Sequence, residues 1–331
     1  MRLGFFLASD TPFAGIKAVP PNARLRWNRD GLSIDSKPPM PDRVASIGRD
    51  EAMVVYQELF TAAIRRRSPD GVFGSLLSGG RDSRKILFEL LNQHKKPDLV
   101  ATLDLANSSD ANVSSEIAQA FGLHHLRVPA LADSVASEIR RVRETQRCAD
   151  EHGWMLGLND ALKGRAAILY DGLGGDVLSA GLFLHPRPLE LMRSGQFVAL
   201  ARHLIAEESV SSFIGQVFLG DSRLFTEEAA VHTLAKELKH HADAPNPIGS
   251  FYFWNRTRRK IALSPFSILA DFKVYVPFLD HELFDFLASL PAEYFLDHTF
   301  HDQTIARSYP QWSHFRYSAK AQPALSLSNA D

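Results

Sequence analysis

The feature that most constrains this chain is a glycine turn placed directly after an apolar run. Residues 72–77 read Val-Phe-Gly-Ser-Leu-Leu and are followed by Ser78, Gly79, Gly80, Arg81, Asp82 and Ser83. The run predicts a buried strand, and the apolar spacing beyond Ser83 predicts a helix. Because glycine has no Cβ, the backbone can turn sharply and bring its amides close to an anion at the helix N-terminus. The sequence therefore predicts a strand, an anion-binding turn and a helix.

The side chains of this turn narrow the anion to a pyrophosphate group. Ser78 and Ser83 supply hydroxyl donors. Asp82 repels phosphate, so its expected role is to hold a Mg²⁺ ion that bridges the phosphates. The spacing Gly-x-x-x-x-Gly-Lys-Ser/Thr of a Walker loop is missing. The turn predicts an enzyme that splits ATP between its α and β phosphates.

Strands and helices alternate on both sides of the turn. Further strands are predicted at 99–104, 125–128 and 166–170, with helices between them. This alternation indicates a parallel α/β sheet, and ligands bind beyond the carboxyl ends of such strands. Beyond about residue 186 the chain reads as helices, among them one over 251–261. The predicted parts are a linker-like segment 1–45, an α/β ATP-binding core 46–185, a helical part 186–317 and a frayed tail 318–331.

Composition excludes several classes of protein. A chain of 331 residues with 45% hydrophobic content can bury a large core. Its net charge of −1 indicates no bulk binding to nucleic acid or to an anionic membrane. Cys148 is the only cysteine, which excludes a disulfide framework and a cysteine zinc site. No run reaches the roughly 20 apolar residues of a membrane span, and we expect a cytoplasmic protein.

A second glycine turn follows the strand at 166–170. It reads Asp171, Gly172, Leu173, Gly174, Gly175 and Asp176. The glycines make room for phosphates, and Asp176 adds a carboxylate at a second strand end. Two carboxylates from two strand ends are typical of a Mg²⁺ site. Asp82 and Asp176 are therefore the predicted metal ligands.

Three stretches resemble the synthetase domain of the asparagine synthetase family, within the PP-loop ATP pyrophosphatases. Residues 77–83 resemble the Ser-Gly-Gly-x-Asp-Ser loop, and residues 171–181 resemble the Gly-Glu-Gly-x-Asp-Glu stretch. Residues 276–283, Val-Pro-Phe-Leu-Asp-His-Glu-Leu, resemble the Pro-Phe-Leu-Asp element. The resemblance covers residues 50 to 312 and implies a PP-loop parallel sheet with flanking helices, followed by a mostly helical C-terminal half.

The resemblance implies an AMP-forming amide ligase that uses ATP and Mg²⁺. A substrate carboxylate attacks the α-phosphate, pyrophosphate leaves, and ammonia or an amine attacks the acyl-adenylate. Asp82 and Asp176 would be catalytic metal ligands, and Leu77 and Leu103 would flank the adenosine. The remaining nucleotide-binding and pyrophosphate-binding residues would be Ser78, Gly79, Gly80, Ser83, Asp171, Gly172, Gly174 and Gly175.

The same resemblance implies partners. Residues 13–22 resemble the linker at the end of a glutaminase domain, and no cysteine lies near Met1 to serve as a glutaminase nucleophile. The ammonia or amine donor would be free or come from a separate glutaminase. The substrate would be a small-molecule or peptide carboxylate, and a homodimer is one expected assembly. Aspartate and the substrates of peptide-cyclising or other natural-product synthetases remain alternatives.

The chain departs from the family at a pyrophosphate-binding lysine. When Arg307 is matched to the arginine of a late helix, Gln303 stands at the lysine position. One explanation is that Lys273, or the cluster of Arg256, Arg258, Arg259 and Lys260, supplies the charge. The alternative is a degenerate homologue that binds nucleotide without turnover and acts as a regulatory or partner subunit. A tRNA-modifying PP-loop enzyme is a weaker third alternative.

Overall fold

The computed structural model describes residues 3–36, 41, 43–105, 108–131, 134–149, 152–207 and 227–318. Its centre is a sheet of five parallel strands in the order β5-β4-β3-β6-β7. The strands are β3 (Phe73–Leu76), β4 (Leu99–Asp104), β5 (His125–Pro129), β6 (Ile168–Tyr170) and β7 (Lys273–Tyr275). The predicted α/β class is confirmed, whereas β7 was not predicted.

Helices flank this sheet and then form most of the C-terminal half. None of those in the described ranges is long and apolar enough to cross a membrane. The α-helices up to the end of the sheet core are α1 (Arg49–Arg66), α2 (Arg81–Asn92), α3 (Asp110–Ala120), α4 (Ser134–Glu144), α5 (Met155–Leu162) and α6 (Gly175–Ser179). Those that follow are α7 (Pro186–Arg193), α8 (Phe197–Glu207), α9 (Glu227–Lys239), α10 (Pro247–Tyr252), α11 (His281–Ser289) and α12 (Phe300–Ser308).

The largest apolar core lies between α1, the sheet and the C-terminal helices. Met53, Tyr56 and Phe60 are buried on one face of α1, as their spacing predicts. Phe60 packs against Phe278 with ring centroids 5.0 Å apart. Phe278 belongs to the short 3₁₀ segment Pro277–Leu279, which lies between β7 and α11. The predicted Pro-Phe-Leu-Asp element is thus part of the core that supports the sheet.

The predicted helix over residues 251–261 has a different form. The α-helix α10 ends at Tyr252, and a π-helix continues over Phe253–Ile261. A second π-helical stretch follows at Ser264–Ile268. The wider turn of a π-helix shifts the side chains away from the 3.6-residue spacing on which the prediction rested. π-Helical segments are rare and frequently lie at functional sites.

The N-terminal segment differs from the predicted linker. Leu3 and Phe5 are buried in the main core, and the Phe5 ring lies 6.2 Å from that of Phe251. The antiparallel pair β1 (Ala23–Asn28) and β2 (Gly31–Ser36) forms a hairpin in this segment. Its residues are mostly exposed, so the hairpin alone has the character of an appendage. Of the predicted tail, residues 319–331 lie outside the described ranges.

Candidate active site

A cavity of about 510 Å³ opens at the carboxyl ends of β3, β4 and β6. Both glycine turns border it, as expected for a parallel sheet. Predicted site residues that line it are Leu77, Ser78, Gly80, Asp82, Ser83, Leu103, Asp171, Gly172, Gly174 and Asp176. A volume of this size fits a ligand as large as a nucleotide. The fold therefore brings residues from two distant parts of the sequence to one site.

The first turn is held in place by its own hydroxyl groups. Ser83 Oγ accepts a hydrogen bond of 3.0 Å from the Ser78 amide and lies 3.0 Å from Ser78 Oγ. Ser78 Oγ in turn accepts from the Gly80 amide at 3.2 Å. α2 begins at Arg81, directly after the turn, so the positive end of the helix faces the cavity. The turn has the form of an anion-binding loop.

A carboxylate that the sequence analysis did not identify already contacts this loop. Asp110, the first residue of α3, accepts a hydrogen bond of 3.2 Å from the Gly79 amide. Asp110 also lines the cavity. Its oxygen shows that the Gly79 amide is directed toward an anion. No motif marked Asp110, because a polar residue at the start of a helix is common.

Three carboxyl groups converge where the two turns meet. Burial raises the pKa of Asp82 to about 7 and the pKa values of Asp171 and Asp176 to about 6. The charge of Asp82 further raises the pKa of both other groups. Mutual repulsion of this kind is relieved when a cation binds between the carboxylates. The electrostatics favour a positively charged ligand at this point.

Glycines in the second turn allow the close approach of Asp82. A Cβ at Gly175 would lie 2.6 Å from Asp82 Cγ, and one at Gly172 would lie 2.9 Å from Asp82 Cβ. Gly174 has φ of +89°, a left-handed conformation that favours glycine. Gly175 is not among the residues that line the cavity, and neither is Gly79 of the first turn, where a Cβ would meet Ser318 and Asp110; Gly172, Gly174 and Gly175 belong to the second turn. These glycines matter for the contact between the turns.

His301 is a second residue that the sequence analysis missed at this site. It is fully buried on α12, and its Nε2 lies 3.1 Å from Asp82 Oδ1. Its Nδ1 lies 2.9 Å from both Tyr56 Oη and Ser179 Oγ. Burial lowers the pKa of His301 to about 3, so the ring is neutral. His301 thus connects α1, α6 and α12 to the carboxylate of the first turn.

The residues fit a divalent cation together with a phosphate ligand. Asp82 Oδ1 is buried and makes no aligned hydrogen bond to any residue in the described ranges. Within those ranges, no group of three or more His, Cys, Asp or Glu side chains forms a ready-made metal site. Mg²⁺ is commonly held by one or two carboxylates plus substrate phosphates. Asp82 and Asp176 can supply those carboxylates, and this assignment remains a prediction.

The structure corrects the prediction that Lys273 supplies the missing positive charge. Lys273 is exposed at the start of β7 and pairs with Ile168 at the start of β6. It therefore lies at the amino end of the sheet, whereas the cavity lies at the carboxyl end. Its ammonium group lies 5.0 Å from the centre of the Tyr275 ring. We withdraw Lys273 as a catalytic residue.

The four basic residues of the π-helix have different contacts. Arg258 donates to the Val19 carbonyl, and Arg259 donates to the Ala8 and Asp10 carbonyls. Both side chains therefore hold the N-terminal segment. Lys260 is buried and does not line the cavity. Arg256 does line the cavity, and its charge lowers the pKa of Asp176.

Gln303, which stands where the resemblance implies a lysine, contacts an arginine from α1. Gln303 lies on α12, and its Oε1 accepts a hydrogen bond of 2.6 Å from Arg49. Arg307, used to place that position, forms an ion pair of 2.8 Å with Asp50. The Gln303 side chain is therefore uncharged but lies against the guanidinium of Arg49, and the absence of a family lysine at this position stays a prediction.

Comparison with known proteins identifies the family. No curated protein matches the chain. Among solved structures, it is similar to the U34-tRNA thiolase NcsA from Methanococcus maripaludis, described with its [4Fe-4S] cluster. The identity is 10%, the TM-score is 0.29, and the match covers 80% of this chain and 79% of that one. The sequence model described as asparagine synthase matches residues 55–307, which is most of the chain. The chain therefore belongs to the asparagine synthase family.

Proposed function

We propose that the protein is an AMP-forming amide ligase. In this reaction a substrate carboxylate oxygen attacks the α-phosphorus of ATP, the bond to the β-phosphate breaks, and pyrophosphate leaves. Ammonia or an amine then attacks the acyl carbon of the adenylate, loses a proton and displaces AMP. ATP is the proposed co-substrate, and Mg²⁺ the proposed metal.

The observation that carries the proposal is the meeting of two carboxylate-bearing glycine turns at one cavity. Asp82 belongs to the first turn and Asp176 to the second, and each raises the pKa of a neighbouring carboxyl group. Both line the same space as Ser78 and Ser83. A triphosphate with its metal matches this combination of hydroxyl donors, loop amides and carboxylates. When bound, Mg²⁺ supplies charge neutralisation for the phosphates.

The other residues bind and orient the nucleotide in this proposal. Leu77 is buried beside the loop, and Leu103 lies one residue before the end of β4, so both offer apolar surface for the adenosine. Arg256 faces the carboxylates from the π-helix. Catalysis of such a transfer depends on positioning and on neutralising the leaving group. The structure offers residues for both tasks.

A nucleotide-binding homologue without turnover is the second candidate. Gln303 favours it, because the helix α12 has an uncharged amide where the family places a lysine. Loss of one cation from a catalytic site costs roughly 10²–10³ in rate. This candidate predicts ATP binding without AMP formation.

The test is carboxylate-dependent exchange of labelled pyrophosphate into ATP. The panel should include aspartate and peptides with free carboxylates, since the substrate is not specified by the family. We expect exchange with at least one member, and Asp82→Ala should reduce it about 10³-fold or more. Asp30→Ala, in the exposed turn of the hairpin, is the matched control and should leave exchange unchanged.

Each outcome separates the two candidates. Exchange that depends on Asp82 supports the ligase. ATP binding by calorimetry with no exchange across the panel supports the non-catalytic homologue. Undiminished exchange in Asp82→Ala contradicts the role given to the first turn.

A further inference from the structure

The site has an unassigned guanidinium in the first turn itself. Arg81 occupies the one position of residues 78–83 to which the sequence analysis gave no role, and it is the first residue of α2. It lines the cavity together with Asp82 and Ser83. Its position on the loop places a cation next to the groups that would contact phosphate.

Arg81 is tied to the same helix that lacks the lysine. Its Nε donates to Asp302, the neighbour of Gln303 on α12. Its guanidinium also lies 5.1 Å from the centre of the Tyr317 ring. The Arg81 guanidinium is therefore directed toward α12 and held there by an acidic residue.

The ion pair between Arg81 and Asp302 is too exposed to contribute much to the stability of the fold. The side chains of Arg81 and Asp302 are 39% and 30% exposed. Pairs with such access to solvent contribute little to folding, because water and salt screen the attraction. Removal of either partner should leave the fold intact, so their effect on ligand binding can be measured.

Arg81 and Asp302 present opposite charges to a ligand bound in the first turn. Arg81 precedes Asp82 in that turn, and its partner Asp302 lies on α12. An anion bound in the turn would be attracted by Arg81 and repelled by Asp302.

We propose that Arg81 binds the pyrophosphate portion of the nucleotide and takes the role of the lysine that the resemblance implies at the position of Gln303. The inference rests on the proposed function, since it assigns a binding role within that site. A guanidinium presents several N–H donors in a plane and can contact two phosphate oxygens at once. Arg81 would turn from Asp302 toward the phosphate oxygens without leaving the mouth of the cavity.

The test is calorimetric titration of the full chain with inorganic pyrophosphate in the presence of MgCl₂, and separately with AMP. We expect Arg81→Met to weaken pyrophosphate binding roughly 10- to 100-fold, the usual range for a charged hydrogen bond. AMP binding should change less than about twofold, because AMP lacks the leaving phosphates. Arg81→Lys should be intermediate, since lysine keeps the charge without the planar donors.

Asp302→Asn removes the acidic partner of the same ion pair and leaves Arg81 in place. If Arg81 binds the anion, Asp302→Asn should leave pyrophosphate affinity unchanged or increase it. If the ion pair only maintains the conformation of the loop, Arg81→Met and Asp302→Asn should both weaken pyrophosphate binding. Arg202→Met removes an arginine from an exposed pair with Glu228 and controls for the loss of one positive charge.

The results distinguish this inference from the proposed function. Weaker pyrophosphate binding in Arg81→Met alone supports it. Equal affinity in the wild type and Arg81→Met, or parallel losses in Arg81→Met and Asp302→Asn, overturns it and leaves the ligase proposal standing. A wild-type chain that binds neither Mg-pyrophosphate nor Mg-ATP overturns both.

Discussion

At the scale of single residues, the site is defined by three buried acidic groups. Asp82, Asp171 and Asp176 all have raised pKa values, and burial is the largest cause for each. A folded protein tolerates such a cluster at a cost in stability, which binding of a cation relieves. This cost gives a measurable signature that does not require the substrate.

The first prediction concerns stability against pH. The pKa of Asp82 is raised from 3.8 to about 7. The folded state therefore holds this proton more tightly than the unfolded state, and stability from this group is lost as pH rises from 3.8 to about 7. Asp82→Asn keeps the shape without the charge, so at pH 8 it should be more stable than the wild type by on the order of 2 kcal/mol.

Urea unfolding in EDTA at pH 6 and pH 8 measures this difference. The advantage of Asp82→Asn should be larger at pH 8 than at pH 6, because the wild-type carboxyl is then ionised. Asp30→Asn, an exposed aspartate of the hairpin, serves as the control. If Asp82→Asn is less stable than the wild type at pH 8, the buried charge of Asp82 does not destabilise the fold.

The second prediction concerns His301 as a positioning residue for Asp82. His301→Leu removes the nitrogen that lies 3.1 Å from Asp82 Oδ1. It should weaken Mg²⁺-dependent ATP binding about tenfold, because residues behind metal ligands commonly have effects of 10- to 100-fold. His301→Gln can place an amide N–H near the same oxygen and should recover most of the affinity.

Calorimetry with and without Mg²⁺ separates positioning from packing. If His301 acts on the metal ligand, His301→Leu should affect Mg-ATP binding more than binding of ATP in EDTA. Equal losses in both conditions, with His301→Gln no better than His301→Leu, would indicate a packing role alone.

At the scale of elements, the end of α1 is joined to the Pro-Phe-Leu-Asp segment by charge. In the structure Arg66 and Arg67 both form ion pairs with Asp280. The Asp280 side chain is 7% exposed, and the two arginines hold its pKa near 2 against the effect of burial. This contact fixes the start of α11 against α1.

The third prediction follows from this contact. Asp280→Asn should destabilise the fold by about 2 kcal/mol, because it leaves two arginines without their buried partner. The pKa of Asp280 is lowered from 3.8 to about 2, so its contribution is present above 3.8 and is lost as pH falls toward 2. Urea unfolding at pH 7 measures the loss of stability in Asp280→Asn. Urea unfolding of the wild type and the variant between pH 2 and pH 5 shows whether this difference disappears as the pH falls.

An exposed neighbour provides the control for Asp280. Glu282 also pairs with Arg66, but its side chain is 65% exposed. Glu282→Gln should therefore change stability by less than about 0.5 kcal/mol. Similar losses in both variants would mean that burial of Asp280 is not what makes the contact strong.

Sequence reasoning predicted elements well where local pattern and chemistry agree. The strand before Ser78, the glycine turn and the helix after it depend on neighbouring residues, and all three are present. The strand β7 was missed, because three residues without alternation carry little local signal. The π-helix was missed since its wider turn has no marker in the sequence. His301 and Asp110 reach the site through tertiary packing, which spacing cannot show.

At the scale of the whole molecule, segments near both ends of the described chain contact the walls of the cavity. The N-terminal segment is held by Arg258 and Arg259 on the π-helix that also bears Arg256. At the other end, the Ser318 amide donates to the Gly79 carbonyl at 3.0 Å. The N-terminal segment and the residues near Ser318, which the sequence analysis treated as a linker and a tail, thus contact elements of the site.

A buried arginine of α2 joins the first turn to the C-terminal end of the described chain. Arg84 is 1% exposed, and it donates to the Gly79, Phe315 and Arg316 carbonyls. Its guanidinium also lies 4.1 Å from the centre of the Tyr317 ring. The glycine loop and residues 315–318 therefore form one packed unit. Ser318, expected at the start of a frayed tail, has a defined contact.

The last prediction tests whether the N-terminal segment is part of the fold. Phe5 is 4% exposed and packs near the rings of Phe251 and Tyr252. Phe5→Ala should lower the free energy of unfolding by about 3–5 kcal/mol, the usual cost of removing a buried aromatic ring. Because α10 leads directly into the π-helix with Arg256, the same variant should also weaken ATP binding.

Trp27 is the matched aromatic control for Phe5, since it lies in the hairpin and is 82% exposed. Trp27→Ala should change the free energy of unfolding by less than about 0.5 kcal/mol and leave ATP binding unchanged. Urea unfolding and calorimetry with Mg-ATP measure the two effects in the same samples. If both variants change the free energy of unfolding and ATP binding only slightly, the N-terminal segment is a linker, as the sequence predicts. A large effect of Phe5→Ala alone would establish that the cavity wall depends on residues preceding the hairpin.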